Sequence, residues 1–348
     1  MRIINTAILS FGMSGKVFHA PFINLHPGFK LVGCWERSKK LIGEAYPGTK
    51  SYSTMEELLA DPIIELVVVN TPSYTHFEYA LKTLQAGKHA IVEKPFTANA
   101  LEAMELKKLA EKQGKMLSVF QNRRWDSDFR TVKSIVDQNM LGEIVEATIS
   151  YDRYNPVLSP KVHKETINPG SGIVKDLGPH IIDQALVLFG MPESVFGDIR
   201  ITRPDSIVAD YLEILLYYPG LRVRLKSGYF VREPVSSYII HGKKGTFLKS
   251  RGDVQESQLQ AGMKPDDKAY GIEPKSEEGY LHTEKGGKVI KEKVVTLRGS
   301  YFEYYAGIYD ALADQKPLPV TSEDGVNVMR VIDAAIMSSK EMRVVVME

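Results

Sequence analysis

"SFGMSG", residues 10–15, joins the apolar run Ile3–Leu9 to the segment Lys16–Leu25. Gly12 and Gly15 stand at the spacing of the second and third glycines of a GxGxxG dinucleotide loop, and Ser10 takes the place of the first. In such a loop the first glycine serves the tight turn, the second lets the backbone approach a pyrophosphate, and the third lets the helix pack closely on the strand. The two glycines that meet ligand and helix are present. A plain strand-to-helix turn has the same local composition, so the choice between the two readings falls to the surrounding chain.

Downstream, the N-terminal third alternates strand and helix. Ile4–Leu9 is the first strand, the loop follows, and a short helix leads to a second strand at Phe29–Trp35. Ser53, three residues before Glu56, suggests a capping box for the helix carrying Leu58 and Leu59. "IELVVVNTP" from Ile64 is a third strand, apolar enough to be covered on both faces. A helix through Phe77, Ala80, Leu81 and Leu84 stops at Gly87, and "HAIVEKP" forms a fourth strand ending at Lys94 and Pro95. A helix from Asn99 to Gly114 and the strand "MLSVFQN" complete the series. Repeated units of this kind predict a five-strand, parallel, doubly wound α/β domain over residues 1–121, the setting a dinucleotide loop requires.

From residue 122 to 348 the pattern changes. After a helix near Phe129–Gln138 come long or alternating strands, "IVEATISYDRY", "ADYLEILLYY" and "LRVRLKSGYF", interrupted by one helix from Lys175 to Phe189 that ends at Gly190. This predicts an α+β domain with a largely antiparallel sheet. "SYIIHGKKGTFLK" reads as a hairpin with a basic loop, residues 251–300 as a polar excursion, and 301–315 and 323–341 as closing helices before a short apolar end.

Composition bounds the function. A chain of 348 residues exceeds the span one core covers, so two domains are expected. With 44 basic and 43 acidic side chains the net charge is +1, which offers no footprint for nucleic acid or an anionic membrane and points to small-molecule partners. Cys34 is the single cysteine, and no run reaches the length of a membrane span or signal peptide, so the expected compartment is the cytoplasm.

Three features carry chemistry. Glu36 lies just past the second strand, about 20 residues beyond the glycine loop, where a carboxylate binds the adenosine ribose and so favours NAD. Arg37, Ser38, Lys39 and Lys40 follow it and suit the 2′-phosphate of NADP, or else simply solvate the next helix. In "VEKP", Lys94 sits at the carboxyl end of a central strand with Glu93 beside it to hold the ammonium in place. Burial beside a nicotinamide would let Lys94 exchange a proton with a substrate hydroxyl; the plain alternative is a lysine in solvent before a proline turn. In "KDLGPHIIDQ", Asp176 and His180 are spaced for one helix face, so the carboxylate could orient an acid/base imidazole. The eight histidines and one cysteine show no paired metal-ligand spacing, and no metal is expected.

"SFGMSGKVFHAPF", "NTPSYTHFEYALKTLQAGKHAIVEKPF", "QNRRWDSDF", "DLGPHIIDQALVLFGMP" and "IIHGKKGTF" together resemble the Gfo/Idh/MocA oxidoreductases, near the branch of NADP-dependent scyllo-inositol dehydrogenases. The resemblance spans nearly the whole chain, and EKP with a downstream D-x-x-x-H carries more of it than the glycine loop. It implies an N-terminal Rossmann dinucleotide-binding domain over residues 1–121 and, over 122–348, an open-faced sheet for substrate binding and oligomerisation, with hydride transfer between NAD or NADP and a hydroxyl-bearing carbon of a cyclic polyol or sugar, in a homodimer or homotetramer. By the same resemblance Lys94 and His180 are acid/base groups, and Asp176 orients His180 or binds substrate. The resemblance and the loop reading together place Phe11, Gly12, Met13, Ser14, Gly15, Glu36, Arg37, Ser38, Thr71, Pro72, Ser73, His76, Glu93, Lys94, Gln121 and Asn122 as the residues expected to line the cofactor. Asn122, Arg123, Arg153 and Asn155 fall at substrate hydroxyls, although Arg123 and Arg124 could instead pair with Asp126 or Asp128 at the surface. Two other classes share the fold: a sensor that binds dinucleotide without turnover, against which Lys94, Asp176 and His180 argue, and an NAD-assisted glycoside hydrolase.

Overall fold

The computed structural model describes residues 2–160 and 164–347, arranged as two compact units. The first comprises Met1–Asn122 with two later stretches, Gln255–Tyr270 and Ser300–Val326; the second comprises Arg123–Val254, Gly271–Gly299 and Asn327–Glu348.

The first unit holds a parallel sheet of six strands: β1 (Ile4–Ile8), β2 (Phe29–Trp35), β3 (Lys50–Tyr52), β4 (Leu66–Val69), β5 (His89–Glu93) and β6 (Leu117–Phe120). Their order is β3-β2-β1-β4-β5-β6, so the direction of winding reverses between β1 and β4, where doubly wound folds bind ligands at the carboxyl ends. Every residue of β4 and β6 is buried, as an apolar strand covered on both faces requires. The third strand in chain order, β3, is absent from the sequence reading because it has only three residues, one of them buried.

Local chemistry explains the helix ends. The helix Met55–Ala60 is capped by Thr54, whose side chain accepts from the Glu57 amide, while Glu57 reaches back to the Ser53 amide at 3.1 Å. The capping box therefore sits one residue later than Ser53 and Glu56. Asn99 caps the helix Ala100–Gln113, and Gly114 closes it in the left-handed region at φ 60°. The helix Phe302–Asp314 packs aromatic side chains into this unit: Tyr305 stacks on Phe22 with centroids 5.8 Å apart, and Tyr304 meets Phe120 edge-on.

The second unit is built on nine strands: β7 (Ile144–Ser150), β8 (Ser194–Arg200), β9 (Tyr211–Tyr218), β10 (Leu221–Gly228), β11 (Tyr238–Gly242), β12 (Gly245–Lys249), β13 (Gly279–Lys285), β14 (Lys288–Val294) and β15 (Val345–Val346). Among the described residues of this sheet, only β7 and β10 pair in parallel. The remaining pairs are antiparallel, in the order β14-β13-β12-β11-β7-β10-β9-β8-β15. Along β9, buried residues alternate with half-buried ones, as in a sheet with one face on a core. The helix Ser322–Glu341 lies close against β8, where a Cβ on Gly197 would come within 2.4 Å of the Ala335 carbonyl oxygen.

Two expectations change here. Residues 251–300 are not an excursion: Gln255–Gln260 is helical and β13–β14 is a hairpin at the sheet edge. The edge strand β14, "KVIKEKV", has no fully buried residue, so its lysines protect an open edge and give a polar, weakly periodic sequence. The helix expected from Lys175 to Phe189 is two segments, Ile173–Asp176 and Gly178–Phe189. Pro179 lacks an amide proton and its ring clashes with the preceding turn, which breaks the helix between Asp176 and His180.

Candidate functional site

The glycine loop answers the question raised by Ser10. The Ser10 hydroxyl accepts the Gly12 amide at 3.2 Å, bracing the turn with a side chain where the usual loop has a glycine. Gly15 is required sterically, since a Cβ there would lie 2.2 Å from the Ser10 carbonyl oxygen. At Gly12 the nearest atom would be Ser10 Oγ at 3.3 Å, and Gly12 and Met13 lie exposed at the crest of the loop. Phe11 is buried edge-on against Tyr46, and Ser14 is half-buried.

Across the switch point, Asn70 follows β4 and donates from Nδ2 to the Ser10 carbonyl at 2.8 Å, tying the two loops together. The loop beyond it is self-braced: Thr71 and Thr75 share a 2.6 Å hydroxyl contact, Thr75 Oγ1 donates to the Pro72 carbonyl, and Ser73–Thr75 forms one 3₁₀ turn. His76 is buried with Nδ1 2.7 Å from the Pro95 carbonyl and Nε2 3.0 Å from that of Thr71. Burial lowers its pKa, against those two carbonyls and the charge of Glu93.

Glu93 and Lys94 end β5. Glu93 Oε2 accepts the Lys94 amide at 3.1 Å, and Oε1 lies 3.0 Å from Nε2 of His19. Burial alone would raise the carboxyl pKa; the hydrogen bond and charge of His19, with Lys94 and His76, outweigh it and hold Glu93 below the ordinary range. Lys94 is half-buried. Gln121 and Asn122, at the end of β6, are buried.

The residues present fit a dinucleotide. Asn70 Oδ1 and Gln121 Oε1, at the carboxyl ends of β4 and β6, are buried with no hydrogen-bond partner among the described residues. Buried acceptors of this kind cost stability unless something donates to them, which is the mark of a place made for a ligand. Asn70 is a candidate that sequence reading passed over, although it sits in the quoted "NTP".

Glu36 is arranged differently from expectation. It is buried, and its carboxylate accepts the amides of Leu41 at 2.8 Å and Ile42 at 3.3 Å, at the start of the short helix Ile42–Ala45. Charge-assisted bonds of this kind contribute about 1.5–3 kcal/mol. Arg37, Ser38 and Lys39 are exposed beside it and make no hydrogen bond or ion pair among the described residues, and Lys40 reaches Ser53 Oγ at 3.4 Å.

In the second unit the candidate residues converge on Tyr151, which sequence reading did not select. The guanidinium groups of Arg123, Arg153 and Arg251 lie 5.2, 5.0 and 4.4 Å from its ring centroid, and the ring of His180 lies 6.4 Å away. The only sequence hint is the position of Tyr151 two residues before Arg153 in "YDRY". His180 is buried in the first turn of Gly178–Phe189. Asp176 forms an ion pair with Lys164 at 2.7 Å. Burial opposes the charge of Arg153, but Tyr151 and the charge of Asp176 outweigh it, so its pKa is raised. Asn155 is exposed, and its amide donates to the Tyr229 carbonyl. The pairing considered for Arg123 and Arg124 is met only in part, and in buried form: Arg123 meets Asp126 at 3.2 Å, whereas Arg124 binds both oxygens of Asp183 in the helix Gly178–Phe189, a partner outside the expected Asp126 and Asp128. Among the described residues, no three His, Cys, Asp or Glu side chains group to hold a metal, and no helix is long and apolar enough to cross a membrane.

Comparison with known proteins extends this geometry. Residues 4–121 match the family model described as an oxidoreductase family, NAD-binding Rossmann fold, and residues 133–347 match its C-terminal alpha/beta domain. The chain is 38% identical over 345 residues to scyllo-inositol 2-dehydrogenase (NADP(+)) IolW of Bacillus subtilis, covering 99% of this chain and 96% of the relative. It is 37% identical to the oxidoreductase YdgJ of Escherichia coli, over 97% and 96% of the two chains. Among solved structures, the oxidoreductase yvaA of Bacillus subtilis matches with a TM-score of 0.96 at 38% identity, covering 100% of this chain and 99% of that one. An oxidoreductase from Bacteroides fragilis matches at 0.91 and 43%, covering 99% and 100%.

Proposed function

The chain belongs to the Gfo/Idh/MocA oxidoreductases, and from that premise we propose that it transfers a hydride reversibly between NADP(H) and a secondary alcohol carbon of a cyclic polyol or sugar of the inositol type. The observation that carries the reading is the placement of Lys94 at the carboxyl end of β5, in the same sheet whose β1 and β4 end in the glycine loop and the Asn70–His76 loop. A bound nicotinamide supplies the hydride chemistry, and the protein has to position the carbon and move the hydroxyl proton.

In this reading Lys94 takes the hydroxyl proton during oxidation and returns it during reduction, a contribution of about 10²–10⁴ in rate. His180 is the second acid/base group. Asp176, paired with Lys164, faces Arg153 with its charge and helps fix the polyol side of the site. Arg123, Arg153, Asn122 and Asn155 bind substrate hydroxyls. Phe11 to Gly15, Thr71, Pro72, Ser73, His76, Gln121 and Asn122 hold the dinucleotide, with Asn70 added for its open acceptor.

The preference for NADP(H) rests on Glu36. In sequence it favours NAD, but its carboxylate already caps the helix at Ile42, while Arg37, Ser38 and Lys39 stand open beside it. A buried, bonded carboxylate is a poor ribose ligand, and an open guanidinium is a good phosphate ligand. The NADP(+) in the name of the Bacillus subtilis relative agrees. The protein acts in this reading as a cytoplasmic homodimer or homotetramer.

The test is a titration with NADPH and NADH, followed by absorbance at about 340 nm with a panel of inositols and aldoses. The expected result is tighter binding of NADPH and turnover of a cyclic polyol. Tight binding without turnover on any member would support a sensor. A cofactor retained through purification, with hydrolysis and no net absorbance change, would support an NAD-assisted glycosidase.

A further inference from the structure

His19 has no part in the roles above, yet it joins the glycine loop to the lysine turn. It ends the π-helical turn Gly15–His19, in which the Ala20 amide donates to the Gly15 carbonyl. Single π turns recur at functional sites, because the extra residue re-aims one side chain. Here the re-aimed side chain is fully buried against the ring of Phe120, with centroids 4.6 Å apart. Its Nδ1 lies 2.6 Å from the Tyr305 hydroxyl and its Nε2 lies 3.0 Å from Glu93 Oε1.

The direction of this chain of contacts follows from Tyr305. Burial, with Tyr304 and Glu93, keeps its hydroxyl protonated well above the ordinary range. It can therefore donate to Nδ1, which leaves Nε2–H to donate to the carboxylate. Glu93 is thereby supplied with a donor on one oxygen by His19 and on the other by the Lys94 amide. The charged and titratable groups that bear on it are His19, Lys94 and His76. His76 grips the next peptide at the Pro95 carbonyl, so Glu93–Pro95 is held on both sides by buried histidines that follow the two loops expected to cradle the dinucleotide.

We propose that His19 is a positioning residue for Lys94, acting through Glu93, whose carboxylate it fixes beside the lysine. The proposal rests on the reading of Lys94 as the acid/base group. Without the His19 donor, a carboxylate in this position turns to the neutral form or moves, and the negative charge next to Lys94 is lost.

Three variants test it: His19→Leu, which removes both contacts, His19→Gln, whose amide can still donate to Glu93, and Glu93→Gln, which removes the charge directly. Lys94→Ala serves as the reference. Two quantities are read: the pH dependence of kcat and KM, and the ionisation of Lys94 itself, followed by ¹³C NMR of the reductively methylated amine and assigned by its loss in Lys94→Ala. In His19→Leu, kcat is expected to fall about 10-fold or more with the NADPH Kd within about threefold, and the Lys94 midpoint to move down by roughly half a pH unit or more. Glu93→Gln should move the midpoint in the same direction, and His19→Gln should restore most of both quantities. Should His19→Leu not fold, the Glu93→Gln and His19→Gln pair decides. An unchanged Lys94 midpoint in His19→Leu and Glu93→Gln overturns the proposal, as does a His19→Gln variant as impaired as His19→Leu. Full turnover in Lys94→Ala would instead remove the acid/base reading of Lys94, and the NMR midpoint would still report on His19.

Discussion

Strands β4 and β6 of the first unit are buried from end to end, and the polar side chains of that unit collect just past the strands, at Ser10, Asn70, Lys94 and Gln121. In the second unit β9 alternates along its whole length and β10 over its first six residues, and the candidate side chains come from the segment after β7, from Arg123, from the helix carrying His180 and from Arg251, meeting around Tyr151. The first arrangement follows from chain order, because a parallel sheet sends every loop after a strand to the same edge. The second depends on pairings between segments far apart in sequence. Two units built on such different plans, read here as a dinucleotide half and a proposed polyol half, should respond separately to substitution.

The largest separate response is expected at Gly15. A Cβ there meets a backbone oxygen at 2.2 Å, so Gly15→Ala must shift the loop, at about 1–3 kcal/mol. NADPH affinity should fall by about 10- to 100-fold in a fluorescence titration. Gly12→Ala, with 3.3 Å to a hydroxyl, should leave the melting temperature within about 2 °C. Equal melting temperatures for the two variants would remove the packing role of Gly15.

On the other half, Tyr151→Ala withdraws the ring that Arg123, Arg153 and Arg251 share. KM for the polyol should rise about 10-fold while NADPH Kd stays within about twofold, since cation–π contacts of this kind are worth roughly 0.5–2 kcal/mol each. A matching loss in NADPH affinity would break the division into halves.

At the cofactor edge, Arg37→Ala should lower the NADPH-to-NADH affinity ratio about 10-fold, the loss of one phosphate contact. Glu36→Gln should change that ratio less than about twofold and lower the melting temperature by a few degrees, because the residue is a helix cap. A Glu36→Gln variant that gains strongly for NADPH would restore the ribose role.

The smallest effect concerns pH. His89 Nδ1 accepts the Met116 amide at 2.9 Å, which needs a neutral ring, and burial followed by the charges of Lys115 and Arg2 lowers its pKa from 6.5 to about 4. The folded value lies below the unfolded one, so this stability is present above pH 6.5 and is lost as the pH falls toward 4. His89→Gln should flatten the acid-side decline in melting temperature by an amount on the order of 1 kcal/mol. A decline of the same steepness would place the titrating group elsewhere.

How much of this was legible in the sequence differs between the halves for the same physical reason. The glycine loop, Asn99 cap, Gly114 stop and EKP turn are local, and each occupies its expected place at the end of an element. The role of Glu36 was not legible, because it depends on the amide of Ile42 in a helix of four residues, too short to show a period. The break at Pro179 was written in the sequence and outweighed by the apolar spacing around it. Tyr151 carried no local mark, since its meaning comes from three arginines and a histidine brought together by the fold. The hairpin β13–β14 was hidden by the polar residues that protect an edge.

The central claim is that Lys94 moves the proton while other residues hold the dinucleotide. It is tested most directly by measuring NADPH binding and polyol turnover in Lys94→Ala on one preparation. The account predicts turnover lowered by about 10³-fold or more, with NADPH Kd within a few-fold of the parent protein. Turnover within about twofold of the parent, at unchanged Kd, would contradict it.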